Sequence, residues 1–121
     1  MKKTELGAWG ENLAAAQLEK EGYRIRERNF RCRLGEIDII AQKGDILAFV
    51  EVKLRKSSSH GEAREFVTAS KQQKLRMTAS FFLAGRPWAQ DLQPRFDVLE
   101  IYAPQGPEGP TRYEHLTDAF E

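Results

Sequence analysis

Two carboxylates and one lysine carry the clearest chemical signal in this sequence. Asp38 lies in the run Gly-Glu-Ile-Asp-Ile-Ile at 35–40, and Glu51 and Lys53 lie in the run Phe-Val-Glu-Val-Lys at 49–53. Both runs are otherwise apolar and rich in β-branched residues, which is typical of strands that are buried on at least one face. Because side chains alternate between the two faces of a strand, Glu51 and Lys53 lie on the same face.

A turn between the two runs decides how the carboxylates pair. The dipeptide Gly44-Asp45 favours a two-residue hairpin loop. In that register Lys43 pairs with Ile46, and Asp38 lies directly opposite Glu51, with Cβ atoms about 4.5–5.5 Å apart. If the loop moves back by one residue, the two carboxylates become diagonal neighbours, which still share one face.

Two like charges that face each other repel, so a purely structural sheet does not favour this pairing. A divalent cation held between Asp38 and Glu51 removes the repulsion, since Mg²⁺ is usually bound by one or two carboxylates plus phosphate oxygens. Lys53 beside it could orient a water or stabilise charge on a phosphate. The pattern therefore predicts metal-assisted phosphodiester hydrolysis. The alternative is a solvated Glu-x-Lys pair on an exposed strand face, with Asp38 incidental.

Size and composition predict one domain spanning residues 1–121, of which 40% are hydrophobic and 31% are charged. No apolar run approaches the roughly 20 residues of a membrane span, and the first residues lack the apolar stretch of a signal peptide. Cys32 is the only cysteine, which excludes an intrachain disulfide and a cysteine zinc site and makes the cytoplasm the expected location. His60 and His115 show no metal-ligand spacing and are expected to be solvated.

The net charge of +1 hides a strong segregation of charge. Residues 22–33 carry five arginines and one acidic residue, and residues 53–76 carry seven basic residues and two acidic ones. From residue 97 to residue 121 there are six acidic residues and one arginine. Two basic runs beside one acidic pair predict a cationic face that binds phosphate backbones, although each run taken alone is more typical of a solvated surface.

Hydrophobic periodicity and turn signals divide the chain into two helices, four strands and one undecided segment. The helices are predicted at 4–21 and 68–83, the strands at 23–31, 34–42, 46–54 and 95–103, and the undecided segment is 113–120. This order predicts an α/β fold with a central mixed sheet flanked by helices. The strand after the second helix can return parallel to the third strand by a crossover.

Side chains on three of these elements add candidate contacts. In the first strand, arginines alternate with other residues over 24–28, which predicts one cationic face. In the second helix, Lys71 and Lys74 share a side with Thr78, away from the apolar stripe. In the first helix, small and apolar neighbours allow the carboxylate of Glu11 to lie close to whatever the helix packs against.

Motifs spread over residues 4–102 resemble those of the YraN-like family of small bacterial proteins. The matching segments are Gly10-Glu11, Asn29-Phe30-Arg31, Gly35-Glu36-Ile37-Asp38, Phe49-Val50-Glu51-Val52-Lys53 with Arg55, Lys71, and Arg95-Phe96-Asp97-Val98. The resemblance implies a restriction-endonuclease-like fold and a distant similarity to Holliday junction resolvases of the PD-(D/E)xK nuclease superfamily. The proline that gives this superfamily its name is absent, since Ile37 precedes Asp38.

The resemblance also implies roles for individual residues. The implied metal-binding acids are Glu11, Asp38 and Glu51. Lys53 corresponds to the catalytic lysine, and the implied cofactor is Mg²⁺ or Mn²⁺. The residues that match family positions with supporting roles are Glu36, Arg55 and Lys71.

The sequence therefore predicts a metal-dependent endonuclease that acts on DNA, with branched or otherwise structured DNA as the expected substrate. The basic residues expected to hold the phosphate backbone are Arg24, Arg26, Arg28, Arg31, Arg55, Lys56, Lys71 and Lys74. A two-fold homodimer is expected if the substrate needs two symmetric cuts. The alternatives are a nucleic-acid-binding module without catalysis and a protein-interaction domain whose basic face docks an acidic partner.

Overall fold

Two α-helices, five strands and two short 3-10 helices (Pro87–Ala89 and Gly106–Glu108) form the part of the chain that the computed structural model describes, residues 3–55 and 67–121. In chain order they are α1 (Lys3–Lys20), β1 (Arg24–Cys32), β2 (Gly35–Lys43), β3 (Ile46–Arg55), α2 (Ala69–Ala84), β4 (Gln93–Tyr102) and β5 (Arg112–Phe120). The predicted helices and strands are confirmed to within two residues at their ends, and the undecided segment is β5. Neither described helix is both long and apolar enough to cross a membrane.

The five strands form one sheet in the order β1-β2-β3-β4-β5. Neighbouring strands are antiparallel except β3 and β4, which are parallel and lie on either side of α2 in the sequence. The predicted α/β class, a central mixed sheet flanked by helices, is therefore confirmed, and the arrangement is consistent with a restriction-endonuclease-like fold.

The hairpin between β2 and β3 has the register that its turn residues predict. Lys43 pairs with Ile46, and Gly44 adopts a φ of 60°, a left-handed conformation that glycine tolerates without strain. The ladder of paired residues continues to Ile39 and Val50. Asp38 and Glu51 are the next residues on each strand, so the predicted juxtaposition of the two carboxylates rests on a confirmed register.

Each helix covers a separate hydrophobic cluster of the sheet. Leu18 of α1 belongs to one cluster with Val50 and Leu99, whereas Phe82 of α2 belongs to the other with Phe49 and Val98. Within β3 and within β4, residues that follow each other in the chain thus contribute to opposite clusters, as the alternation of strand side chains requires. The core is therefore formed on both faces of the sheet, and β3 and β4 lie between the two helices.

Helix α2 approaches the sheet closely at Gly35. A Cβ atom on Gly35 would lie 2.9 Å from Oγ1 of Thr78, which is too close for a side chain. Thr78 is fully buried and donates a hydrogen bond to the carbonyl oxygen of Lys74 at 2.8 Å. Lys74 also approaches Gly35, and Lys71 and Lys74 line the groove beside it, so the three residues share a side of α2 as predicted, but at Thr78 that side is buried against β2.

The arginines of β1 do not form a single cationic face. The pairing of β1 with β2 shifts register between Ile25 and Glu27, which interrupts the alternation of side chains. Arg26 stacks on Trp88, which follows α2, with its guanidinium 3.7 Å from the ring centroid. Arg28 instead bonds to Glu11 on α1 at 2.8 Å. The prediction of one shared cationic face is therefore wrong, because Arg26 contacts a residue that follows α2 whereas Arg28 contacts α1.

A buried polar network joins the end of α1 to β4 and β5. Asp97 has a fully buried side chain, which accepts hydrogen bonds from Arg95 at 2.9 and 2.8 Å. His115 lies between Asp97 and Glu21, with ring nitrogens 2.8 and 2.7 Å from their carboxylates. Burial opposes the charged ring, but these two hydrogen bonds raise the pKa of His115. The prediction of a solvated His115 is therefore wrong, and His60 lies outside the described residues.

Candidate active site

Asp38 lies where β2 and β3 separate. The backbone ladder of the hairpin ends at Ile39 and Val50, and beyond it Oδ2 of Asp38 accepts a hydrogen bond from the amide of Val52 at 2.8 Å. A side-chain carboxylate thus takes the place of a backbone acceptor. This bond fixes the position of Asp38 beside the strand that carries Glu51 and Lys53.

The environment of Asp38 disfavours its negative charge. Burial raises the pKa of Asp38 to about 6, and the charge of Glu51 adds to the effect, although the Val52 amide opposes it. The exposed Glu36 also raises this pKa. Two carboxylates therefore interact in a partly dry region, as the sequence predicts.

Glu51 carries the neighbouring carboxylate, and two ammonium groups share one of its oxygens. Nζ of Lys71 lies 2.7 Å from Oε1 of Glu51, and Nζ of Lys53 lies 3.7 Å from the same atom. Burial lowers the pKa of Lys53, as does the charge of Lys71, although Glu51 opposes the effect. Burial also opposes the charge of Lys71, but the hydrogen bond to Glu51 raises the pKa of Lys71. The site thus combines two acids with two lysines from β3 and α2.

Glu11 lies on α1 and lines the same cavity as Asp38. Its Oε1 accepts hydrogen bonds from Arg28 at 2.8 Å and from Nδ2 of Asn29 at 2.9 Å. Asn29 has a φ of 53°, a left-handed conformation that asparagine adopts more readily than most residues. Glu11, Asn29, Arg31 and Asp38 line a cavity of about 480 Å³ together with apolar residues of α1 and β3. Glu51 is not among its lining residues.

The donor set fits a divalent cation in part. Asp38 and Glu51 supply two hard oxygen donors whose mutual repulsion a cation would remove, and Mg²⁺ needs no more than one or two protein carboxylates. Glu11 is held by Arg28 and Asn29 instead. Over residues 3–55 and 67–121, no three His, Cys, Asp or Glu side chains are grouped so that they could hold one ion. The pair supplies oxygen donors of the type that Mg²⁺ prefers, and the metal itself and Glu11 as a third ligand stay predictions.

The predicted DNA-binding residues lie in several places. Lys71 and Lys74 line a groove of about 360 Å³ at the start of α2, with Thr68, Ser70, Gly35 and Glu36. Thr68 caps the helix by accepting a hydrogen bond from the amide of Lys71 at 3.2 Å. Arg24 is exposed on β1, and Arg31 pairs with Glu36 at 3.0 Å on the surface. Lys56 lies outside the described residues.

Arg55 forms an ion pair with Glu100, a residue that the sequence analysis did not identify as a candidate. Its Nε lies 2.6 Å from Oε1 of Glu100 on β4, whose side chain is 2% exposed. Glu100 pairs with Lys53 in the parallel β3–β4 ladder. A charged residue in the apolar run Val98-Leu99-Glu100-Ile101 is the signal that could have identified it, because unpaired charges are rarely buried.

Asp38→Asn is expected to stabilise the metal-free protein. The amide oxygen can still accept the bond from Val52, whereas the charge that Glu51 repels is lost. Because the pKa of Asp38 is raised to about 6 in the folded protein, folding favours the protonated acid, and this stability is lost as the pH rises through 6. At about 1.4 kcal/mol per pKa unit, the gain should reach about 1–3 kcal/mol at pH 8 and be smaller at pH 5.

Urea unfolding in EDTA at both pH values measures this gain. Asp45→Asn is a matched control, because it removes an exposed carboxylate from the turn of the same hairpin. A lower stability of Asp38→Asn at pH 8 would mean that the ionised Asp38 is stabilised by its surroundings.

Comparisons with known proteins agree on one family. A model of the uncharacterised protein family UPF0102 matches residues 10–101. A UPF0102 protein of Caldicellulosiruptor saccharolyticus is 48% identical over 102 residues, which cover 84% of this chain and 86% of that protein. A UPF0102 protein of Geobacter sulfurreducens is 47% identical over 96% of this chain and 88% of its own length. A UPF0102 protein of Rhodococcus jostii is 46% identical over 95% of each.

Proposed function

The chain belongs to the uncharacterised protein family UPF0102, which is the YraN family, and we propose that it is a divalent-metal-dependent endonuclease that hydrolyses DNA phosphodiester bonds. The observation that carries this proposal is the electrostatic interaction between the carboxylates of Asp38 and Glu51 where β2 and β3 separate. The pKa of Asp38 is raised to about 6 by burial and by the adjacent charge. Perturbed acids next to a lysine are typical of functional sites.

In this proposal, Asp38 and Glu51 would hold the cation, which would supply Lewis acidity for the scissile phosphate and for a water. Asp38 keeps its orientation through the amide of Val52. Lys53, with a side chain that is 23% exposed, provides an ammonium group that is partly removed from water. Electrostatic stabilisation is stronger in such a site, so Lys53 can orient the water or stabilise negative charge on the phosphate.

DNA is the proposed substrate because the cationic groups adjoin the acidic pair. Lys71 links the cationic groove to the acidic pair, since it donates a hydrogen bond to Glu51 and also lines the groove at the start of α2 with Lys74. Phosphate oxygens that enter this groove would meet both ammonium groups and the exposed side chain of Ser70. Backbone contacts of this kind carry no base information, so the preference is expected to follow DNA shape, as in branched or flapped substrates.

The proposal includes a cytoplasmic location, where such DNA is found, and a two-fold dimer if two symmetric cuts are needed. The location and the dimer both depend on the proposed nuclease function, and neither is expected if that function is contradicted.

A second candidate is a nucleic-acid-binding module without catalysis. One observation favours it: Oε1 of Glu51 already lies near the ammonium groups of Lys71 and Lys53, at 2.7 and 3.7 Å. Salt bridges of this kind neutralise the acid without a metal. Calorimetry separates the two candidates, because a site without metal affinity gives no heat with Mn²⁺ while DNA binding persists.

The decisive experiment is a cleavage panel of linear, flapped and four-way DNA with Mg²⁺ and with Mn²⁺. We expect metal-dependent cleavage by the wild type and its loss in Asp38→Asn, which removes a metal-binding charge but keeps the hydrogen bond to Val52. Cleavage by Asp38→Asn at the wild-type rate would contradict the assigned site. Binding of these DNAs without cleavage would favour the second candidate, and indifference to all three at low salt would favour a protein partner.

A further inference from the structure

Glu100 is a buried carboxylate whose hydrogen bonding is incomplete. The residue is 1% exposed, and Oε1 lies 2.6 Å from Nε of Arg55. Oε2 has no hydrogen-bond partner, and it is the one buried side-chain oxygen or nitrogen without a partner among the side chains that the structure describes, those of residues 5–55 and 67–121. Leaving a buried charged acceptor unpaired is unfavourable, so an unpaired atom of this kind calls for an explanation beyond packing.

Lys53 is the basic residue that the sheet places beside this oxygen. The parallel ladder pairs Lys53 directly with Glu100, and paired residues of neighbouring strands project from the same face. Because neighbouring strands lie about 4.8 Å apart, the flexible four-carbon stem of a lysine can bring its ammonium group to the partner's carboxylate.

Lys53 is also loosely held where it now lies. Its Nζ is 3.7 Å from Glu51, beyond hydrogen-bond distance, whereas Lys71 binds the same oxygen of Glu51 at 2.7 Å. The two ammonium groups repel each other across that oxygen. A cation at Asp38 and Glu51 would add a further positive charge on the side that Lys53 now faces.

We propose that Glu100 is a positioning residue for Lys53: when a divalent cation binds at Asp38 and Glu51, Lys53 leaves Glu51 and donates a hydrogen bond to Oε2 of Glu100. This inference rests on the proposed function. Arg55 anchors the Glu100 carboxylate through Oε1, and the buried Oε2 is reserved for the lysine. Glu100 thereby sets the position of the Lys53 ammonium group in the metal-bound state and allows the cation to take the oxygens of Glu51.

Tyr102 provides the matched control. It lies two residues after Glu100 on β4 and is 8% exposed. Burial raises the pKa of Tyr102 most, and both the charge of Glu100 and a side-chain hydrogen-bonding interaction with Glu100 add to the effect. If Glu100 served only to complete packing around this tyrosine, Tyr102→Phe and Glu100→Gln would have similar effects.

The test compares wild type, Glu100→Gln and Tyr102→Phe in three measurements: melting temperature in EDTA, Mn²⁺ affinity by calorimetry, and kcat and KM for DNA cleavage. Glutamine keeps an acceptor for Arg55 and replaces the unpaired oxygen by an amide group. We expect Glu100→Gln to keep or raise the melting temperature, to weaken Mn²⁺ binding about tenfold and to lower kcat about tenfold, with KM within about twofold. Tyr102→Phe should match the wild type in metal affinity and kcat.

Unchanged Mn²⁺ affinity in Glu100→Gln would overturn the inference. It would also be overturned if Glu100→Gln lowered the melting temperature and Tyr102→Phe lost as much Mn²⁺ affinity and kcat as Glu100→Gln. If the wild type binds Mn²⁺ but cleaves no DNA, the proposed nuclease function fails while the affinity measurement still decides the role of Glu100. If the wild type gives no heat with Mn²⁺, both are overturned.

Discussion

Lys53→Ala is expected to lower the DNA cleavage rate by about 100- to 1000-fold, which is the typical cost of removing one group that stabilises charge in a transition state. The partly buried ammonium group lies 3.7 Å from the carboxylate of Glu51, whereas Lys53 is not among the residues that line the cationic groove at the start of α2. DNA affinity should therefore stay within a few-fold of the wild type. Single-turnover cleavage of four-way DNA gives the rate, and fluorescence anisotropy in EDTA gives the affinity.

Lys20→Ala is the control for this substitution, because it removes an exposed lysine at the end of α1 and should alter neither quantity. Equal cleavage rates for Lys53→Ala and wild type would remove Lys53 from the mechanism. A parallel loss of affinity and rate would instead make it a DNA-binding residue.

Asp97→Ala is expected to cost about 3–5 kcal/mol of unfolding free energy, the range for breaking a buried ion pair from one side. The carboxylate accepts hydrogen bonds from both Arg95 nitrogens, from His115, and from the amide of Asp118 at 3.0 Å. Its removal leaves the guanidinium and the imidazole without their shared partner in a region where burial already opposes their charges. Urea unfolding at pH 7 measures the loss.

Asp91→Ala serves as the comparison, since Asp91 is an exposed acid that precedes β4. Substitution of such a surface residue usually changes stability by less than about 0.5 kcal/mol. If Asp97→Ala cost no more than Asp91→Ala, the network would be a consequence of the fold and would not stabilise it.

Local sequence signals were sufficient to predict the hairpin that carries the candidate acids. Gly44 sets the turn, the turn sets the register, and the register brings Asp38 and Glu51 together. The spacing of apolar residues likewise predicted both helices to within two residues. These features depend on residues that are close in sequence, so pattern and turn chemistry determine them.

Long-range contacts account for what the sequence did not predict. His115 lies 94 residues from Glu21 in the chain, and its burial depends on β5 joining the sheet. The irregularity in β1 that separates Arg26 from Arg28 depends on pairing with β2. Glu100 was counted only as part of an acidic segment, because its partner Arg55 is 45 residues away. No local pattern encodes such pairs.

The separation of β3 from β4 along the chain implies an order of assembly. Asp38 and Glu51 belong to one hairpin, and structures with small sequence separation form early because little loop-closure entropy is lost. Lys71 joins Glu51 later, across a separation of 20 residues, and Glu100 joins Arg55 at the end of β3 across a separation of 45 residues. The nascent hairpin therefore contains two mutually repelling acids with Lys53 as its own counter-charge, before Lys71 joins them. Under the proposed function, we expect dissolved divalent ions to speed folding of this chain.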